Sequence, residues 1–181
     1  MPTILVHPFT TPFGELLLGS WGDELCLCDW RHRRMRAAID TRIQRGLNAA
    51  YEEGMSTAIA VAMEQLDAYF QGRSTRFDLP LRFAGTEFQQ RVWEALRAVP
   101  YGSTMSYAEL TARVATPTAI RAVASANGAN AHAIIIPCHR IIGNGGELVG
   151  YAGGLAVKRK LLLLEGALPV EQDLFTAHAE G

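Results

Sequence analysis

Residues Ser106–Gly128 read SYAELTARVATPTAIRAVASANG, and this stretch decides how the second half of the chain folds. Ser106-Tyr107-Ala108-Glu109 has capping-box form, a serine followed three residues on by a glutamate, and opens a short helix. Tyr107, Leu110 and Val114 are spaced for one side of it. Thr116-Pro117 then restarts the chain as an N-cap with proline at the first helical position. The new helix carries Ile120, Arg121 and Val123 and ends near Asn127-Gly128. Two short helices joined by a tight turn make a helix-turn-helix, a pattern that many helical domains contain. The second helix is expected to expose Ala119, Ala122, Ala126 and Gly128, with Arg121 as its lone long polar residue. A surface of small residues suits close approach to a DNA groove or, equally, to another helix.

Upstream, Thr86 caps a helix with Phe88, Val92, Leu96 and Val99 on one face, stopped by Pro100. The first third reads differently. Leu16-Leu17-Leu18 and Leu25-Cys26-Leu27-Cys28 flank a hairpin turn at Trp21-Gly22-Asp23-Glu24. Thr3 to His7 pairs beside them, connected through Thr11-Pro12-Phe13-Gly14. Residues 31–54 read as a surface connection with a short helix. Ser56 to Gly72 is an amphipathic helix with Ile59, Met63, Leu66 and Phe70 on one face. Ser74 to Phe83, with Pro80 inside it, reads as an edge strand. The expected division is an α/β unit over residues 1–84, a helical unit over 85–168 and an acidic tail over 169–181.

The chain has 181 residues, 49% hydrophobic and 19% charged, the composition of a globular protein. No apolar run approaches the roughly 20 residues that a membrane-spanning helix needs. Met1 to Phe9 lacks the basic and apolar blocks of a secretory signal. Three cysteines without a disulfide-like framework suit a reducing compartment, so the expected location is the cytoplasm. Net charge is −1, which does not mark a strongly basic nucleic-acid binder. Residues 84–166 nevertheless carry eight Lys/Arg against five acids, a mildly positive segment compatible with DNA. In a strand Cys26 and Cys28 would share a face. With no second Cys or His pair at usable spacing, they read as core packing and not as half a metal site.

The chemistry concentrates further on. Ile134-Ile135-Ile136 reads as a short buried strand ending at Pro137-Cys138-His139-Arg140. Pro137 has no backbone N–H, so the strand stops and Cys138 falls at a junction. A thiol beside His and Arg is expected to have a lowered pKa and a larger thiolate fraction. Gly143, Gly145, Gly146, Gly150, Gly153 and Gly154 form a loop that can bring backbone close to a ligand. A helix from Leu155 to Glu165 follows, with Lys158-Arg159-Lys160 exposed and Gly166 closing it.

Taken together, Pro137-Cys138-His139-Arg140, Gly150-Tyr151-Ala152-Gly153-Gly154 and Leu164-Glu165-Gly166 resemble the O6-alkylguanine-DNA alkyltransferases, also called methylated-DNA–protein-cysteine methyltransferases. The resemblance extends through Phe88-Gln89-Gln90-Arg91-Val92-Trp93, Tyr101-Gly102, Ser106-Tyr107 and Arg121-Ala122-Val123. It is dense from Thr86 to Gly166 and covers only the layout before that. It implies an α+β fold: a small N-terminal α/β domain of ribonuclease H-like type, then a C-terminal helical, winged-helix-like domain with a helix-turn-helix. Cys138 would be nucleophile and alkyl acceptor, and His139 a base acting through water and oriented by Glu165. Asn130 would brace the active-site turn, and Tyr107 would donate a proton to the departing guanine. Arg121 would fill the space left by the flipped base, with Ala122, Ala126 and Thr118 at the DNA. Cys138, Ile141, Tyr151 and Ala152 would line the guanine pocket. The implied partner is double-stranded DNA containing O6-alkylguanine, bound by a monomer with no cofactor, no metal and no membrane. The departures are Thr118 where a Lys is common and Ala152 where some members have Ser. A damage sensor without transfer, or a Cys-His thiol hydrolase, are the rival classes. Retained Cys138 argues against the first, and the helix-turn-helix against the second.

Overall fold

The computed structural model describes residues 2–169, so the expected acidic tail lies outside the described residues except for Pro169. Three strands, β1 (Thr3–Thr11), β2 (Gly14–Trp21) and β3 (Glu24–Trp30), form the antiparallel meander that the two turn signals require. The connection after β3 holds more structure than its polar composition indicates. It contains a full helix, α1 (Arg36–Gly46), and then β4 (Ala50–Glu53), which adds to β1 in parallel. The sheet order is β3-β2-β1-β4. β4 escaped notice because three of its four side chains are exposed, so an edge strand left no apolar alternation.

Helix α2 (Thr57–Phe70) starts where Ser56 accepts the N–H of Ile59. Its buried face is Ile59, Ala62, Leu66 and Tyr69, rotated slightly from the expected stripe, with Met63 and Phe70 only half-buried beside it. Residues 74–83 do not form the expected strand. They make one parallel bridge to β3, with Leu25 N–H on the Pro80 carbonyl and Arg82 N–H on the Leu25 carbonyl. Cys26 and Cys28 do not share a face either. A β-bulge opposite Gly19 and Ser20 turns Cys26 into the core beneath α1, while Cys28 faces the core beneath α2. Both cysteines are buried packing residues, as expected.

The second half begins with α3 (Glu87–Arg97), whose Thr86–Gln89 capping box has both reciprocal bonds. A two-residue strand, β5 (Met105–Ser106), leads into α4 (Tyr107–Val114), capped by the Ser106 hydroxyl on Glu109 N–H. Pro117–Ala119 is a separate 3-10 turn, and α5 (Ile120–Gly128) begins only after it. Thr116 makes no side-chain cap because its hydroxyl pairs with that of Thr118. The strand β6 (Ile141–Ile142) pairs in parallel with β5, and α6 (Leu155–Leu164) closes the described chain. Gly166, at φ +73°, lets the amides of Gly166 and Ala167 turn back onto Leu163 and Leu162.

Candidate active site

The isoleucine run is not a strand. Residues 131–136 form tight turns with Ile134 at φ +73°, hooked onto the free edge of β3. Cys28 N–H donates to the Ala131 carbonyl at 2.8 Å, and Ala133 N–H to the Cys28 carbonyl at 2.6 Å. Continuous apolarity reported burial correctly, but burial alone does not choose between strand and turn. Asn130 supplies the missing order. Its Oδ1 accepts His132 N–H at 2.9 Å and its Nδ2 donates to the Ile136 carbonyl at 2.8 Å. This clamp delivers Cys138 as the first residue of a 3-10 turn spanning Cys138–Arg140.

Cys138 is 6% exposed and lies in the wall of a 580 Å³ cavity. Tyr107, Tyr151, Ala152 and the α5 residues Asn127 and Ser125 share that wall. Arg33, Met35 and Arg42 from the first half of the chain complete it. The thiol is therefore recessed but reachable from the face that α5 borders. Its pKa is raised, not lowered as the sequence suggested. Burial pushes it up, and the Asn130 side chain and the charges of Lys158 and Arg33 only partly oppose this. Burial thus favours the neutral thiol.

A histidine stands one residue on. His139 is fully buried, its Nε2 2.7 Å from Glu165 Oε2. Its Nδ1 is also buried and has no hydrogen-bond partner among the described residues. Burial lowers the His139 pKa against the pull of Glu165, which favours the neutral, proton-accepting ring. Three residues anchor Glu165 through four hydrogen bonds. Tyr69 donates to Oε2 at 2.6 Å, and Arg140 bonds Oε1 at 2.7 Å and Oε2 at 3.1 Å, in addition to His139. Burial would raise the Glu165 pKa, but the hydrogen bonds and charges of His139 and Arg140 prevail and hold it at about 2.

Lys158 corrects another expectation. It is wholly buried, because it shares a helical face with Leu161, Leu162 and Glu165 at spacings of three, four and seven. Its ammonium donates to the carbonyls of Ile141, Val149 and Gly150, fastening the glycine-rich loop beside Cys138. Burial lowers its pKa to about 8. Ile141 is fully buried, its carbonyl is taken by Lys158, and it does not line the cavity. Tyr151 and Ala152 do, with the Tyr151 hydroxyl accepting Trp30 Nε1–H at 2.9 Å.

On α5, Arg121 and Ala122 are exposed and Thr118 is exposed just before the helix. Ala126 is not, at 2% exposure; it faces α3, where its carbonyl accepts Trp93 Nε1–H at 2.9 Å. Ala119 is half-buried. Both interpretations of the small-residue helix thus apply, to opposite faces. Sequence reasoning missed Tyr69, Asn127 and the Asp29–Arg33 pair. Arg33 bonds Asp29 at 3.0 Å and the Gly128 carbonyl at 2.7 Å, tying α5 to the sheet. Only the three-four-three spacing through Ile59, Ala62 and Leu66 could have pointed to Tyr69.

A recessed thiol, a carboxylate-anchored imidazole and an arginine-bearing exposed helix at one cavity define a nucleophilic cysteine protein built on a helix-turn-helix. Residues 4–83 match the family described as 6-O-methylguanine DNA methyltransferase, ribonuclease-like domain, and residues 87–167 match its DNA binding domain. A Mycobacterium bovis methylated-DNA–protein-cysteine methyltransferase is 52% identical over 119 residues, 65% of this chain and 72% of the relative. A Methanosarcina acetivorans protein of the same name is 52% identical over 106 residues, 59% of this chain and 68% of the relative. Among solved structures, Mycobacterium tuberculosis OGT in complex with DNA superposes with a TM-score of 0.76 at 41% identity. That match covers 94% of this chain and 99% of the other. The chain belongs to the 6-O-methylguanine DNA methyltransferase family.

Proposed function

We propose that this protein repairs DNA by moving the alkyl group of O6-alkylguanine onto Cys138, one event per molecule. The observation that carries the proposal is Cys138 in the wall of a cavity bordered by α5, with His139 and Glu165 hydrogen-bonded behind it. His139 Nδ1, the free end of that pair, takes the thiol proton through a water molecule, and Glu165 stabilises the imidazolium. The sulfur then attacks the alkyl carbon. The carbon–oxygen bond breaks, its electron pair passes into the purine, and the Tyr107 hydroxyl delivers a proton to the ring. The products are a thioether and guanine. Water does not readily displace a thiolate from an sp³ carbon, so the protein is spent.

A stacked base cannot present its O6 substituent to a recessed sulfur, and the nucleotide must leave the helix at a cost of a few kcal/mol. Arg121, exposed near the start of α5, fills the vacated space, and Ala122 lets the helix approach the minor groove. Thr118 is positioned for a neighbouring phosphate. Residues 1–84 act as the scaffold for residues 85–168, and one molecule acts alone.

Incubating the protein with excess duplex carrying one O6-methylguanine tests the proposal. Repaired bases should plateau at one per protein molecule. Continued turnover would identify a hydrolase, and binding without repair a sensor. Cys138→Ser should end repair and keep DNA binding.

A further inference from the structure

Trp30, the last residue of β3, is 5% exposed and stands behind the cavity wall without lining it. Its indole N–H donates to the Tyr151 hydroxyl at 2.9 Å, and the two rings meet edge to face at 6.3 Å and 72°. Tyr151 does line the cavity, as Cys138 does, and its ring centre is 6.4 Å from that of His139, the residue after the thiol. Among the described residues no other hydrogen bond holds the Tyr151 side chain. We propose that Trp30 is a positioning residue for alkyl transfer: by tethering the Tyr151 ring it fixes the wall that the transferred alkyl group meets, and so limits how large that group can be. The inference rests on the repair reading above and deepens it, since it places control of alkyl size in the sheet-bearing half of the chain.

During transfer the alkyl group lies between the sulfur and the base, so it meets the side chains that share the cavity wall with Cys138. Two of these carry phenol rings, Tyr107 and Tyr151. The backbone around Tyr151 is pinned. Lys158 holds the carbonyls of Val149 and Gly150, and the Tyr151 carbonyl accepts Gly154 N–H at 3.0 Å. The loop also lies flat on the indole, where a Cβ at Gly153 would stand 2.8 Å from Trp30 Nε1. The ring is therefore the part of Tyr151 that can still move. It is only half-buried, which leaves it room to tilt toward the open side once its tether is cut. A buried indole N–H seeks an acceptor, and here it takes the one oxygen at the tip of that ring. A wall held in this way yields to a bulky group only when the hydrogen bond is given up, whereas a methyl group makes no such demand.

Single-turnover alkylation of the full-length protein by duplexes carrying O6-methylguanine or O6-butylguanine, followed by intact-protein mass, tests this. The methyl-to-butyl ratio of rate constants should fall about fivefold in Trp30→Phe, the factor for one net hydrogen bond. Tyr151→Phe removes the acceptor of the same pair and should lower the ratio by a similar factor. The double variant should do no more than either single one, because both break one bond. Incomplete folding lowers the amplitude for both lesions alike and leaves the ratio unmoved. An unchanged or increased ratio in either single variant would overturn the inference, as would additive effects in the double variant. If the native protein takes an alkyl group from neither duplex, the repair reading itself fails, and the inference with it.

Discussion

The hydroxyl of Tyr69 donates to Glu165 Oε2 at 2.6 Å, and the same oxygen lies 2.7 Å from His139 Nε2. A residue of α2 in the sheet-bearing half therefore shares the charge that sets the basicity of His139. Without it, Glu165 would draw more strongly on the His139 proton, and the imidazole would stay protonated to higher pH. Tyr69→Phe is expected to move the acid limb of the alkyl-transfer rate to higher pH. It should also cost about 1.5–3 kcal/mol of stability, the range for a hydrogen bond to a charged group. Single-turnover rates across pH check the first effect and urea unfolding the second. An unshifted limb would assign Tyr69 to packing alone.

Asn130 satisfies two buried backbone groups, His132 N–H and the Ile136 carbonyl. Asn130→Ala leaves the His132 N–H without a partner, at about 1–3 kcal/mol, and removes one of the two donors to the Ile136 carbonyl, which keeps Cys138 N–H at 2.7 Å. The urea midpoint should fall accordingly, and transfer should slow because Cys138 loses its fixed position. Unchanged stability would mean that the turns are held by their apolar packing.

Stability should fall in acid in two stages. His132 is buried with Nε2 2.9 Å from the Leu25 carbonyl oxygen, and burial lowers its pKa from 6.5 to about 4. Glu165 is held at about 2 against an ordinary 4.5. Both folded-state values are depressed, so the unfolded chain takes up protons first as pH falls. The His132 contribution is whole above 6.5 and is lost toward 4. The Glu165 contribution is lost between 4.5 and 2. His139, also depressed by burial, adds to the upper stage, so His132→Gln should shrink that stage of a urea-midpoint profile against pH without removing it, and a variant that keeps it at full size would contradict the assignment.

Arg121 is exposed and absent from the cavity wall. Arg121→Ala should slow repair of duplex by about tenfold or more while leaving transfer from free O6-benzylguanine unchanged, because only duplex requires base extrusion. Equal losses on both substrates would place Arg121 in the chemistry itself.

The sequence carried the helical half well, because Thr86, Ser106 and Pro117 are local signals read within one turn of chain. It carried Cys138, His139, Glu165 and Asn130 through a motif, and all four meet at the Cys138 turn or directly behind it. What it did not carry depends on distant contacts. The bulge at Cys26, the turns at Ile134–Ile136 and the buried ammonium of Lys158 are all fixed by partners elsewhere in the chain. Tyr69 and Glu165 are 96 residues apart, a pairing no local pattern announces. The raised thiol pKa has the same origin, since burial outweighs the Asn130 hydrogen bond and the charges of Lys158 and Arg33, all brought to Cys138 from elsewhere in the chain.

The central claim is that the sulfur of Cys138 receives the alkyl group. After reaction with duplex containing one O6-methylguanine, proteolysis and mass analysis should find one added methylene on the peptide containing Cys138, and unaltered peptides containing Cys26 and Cys28. An unmodified Cys138 peptide in a sample that has restored guanine, or the added mass on another residue, would contradict the account.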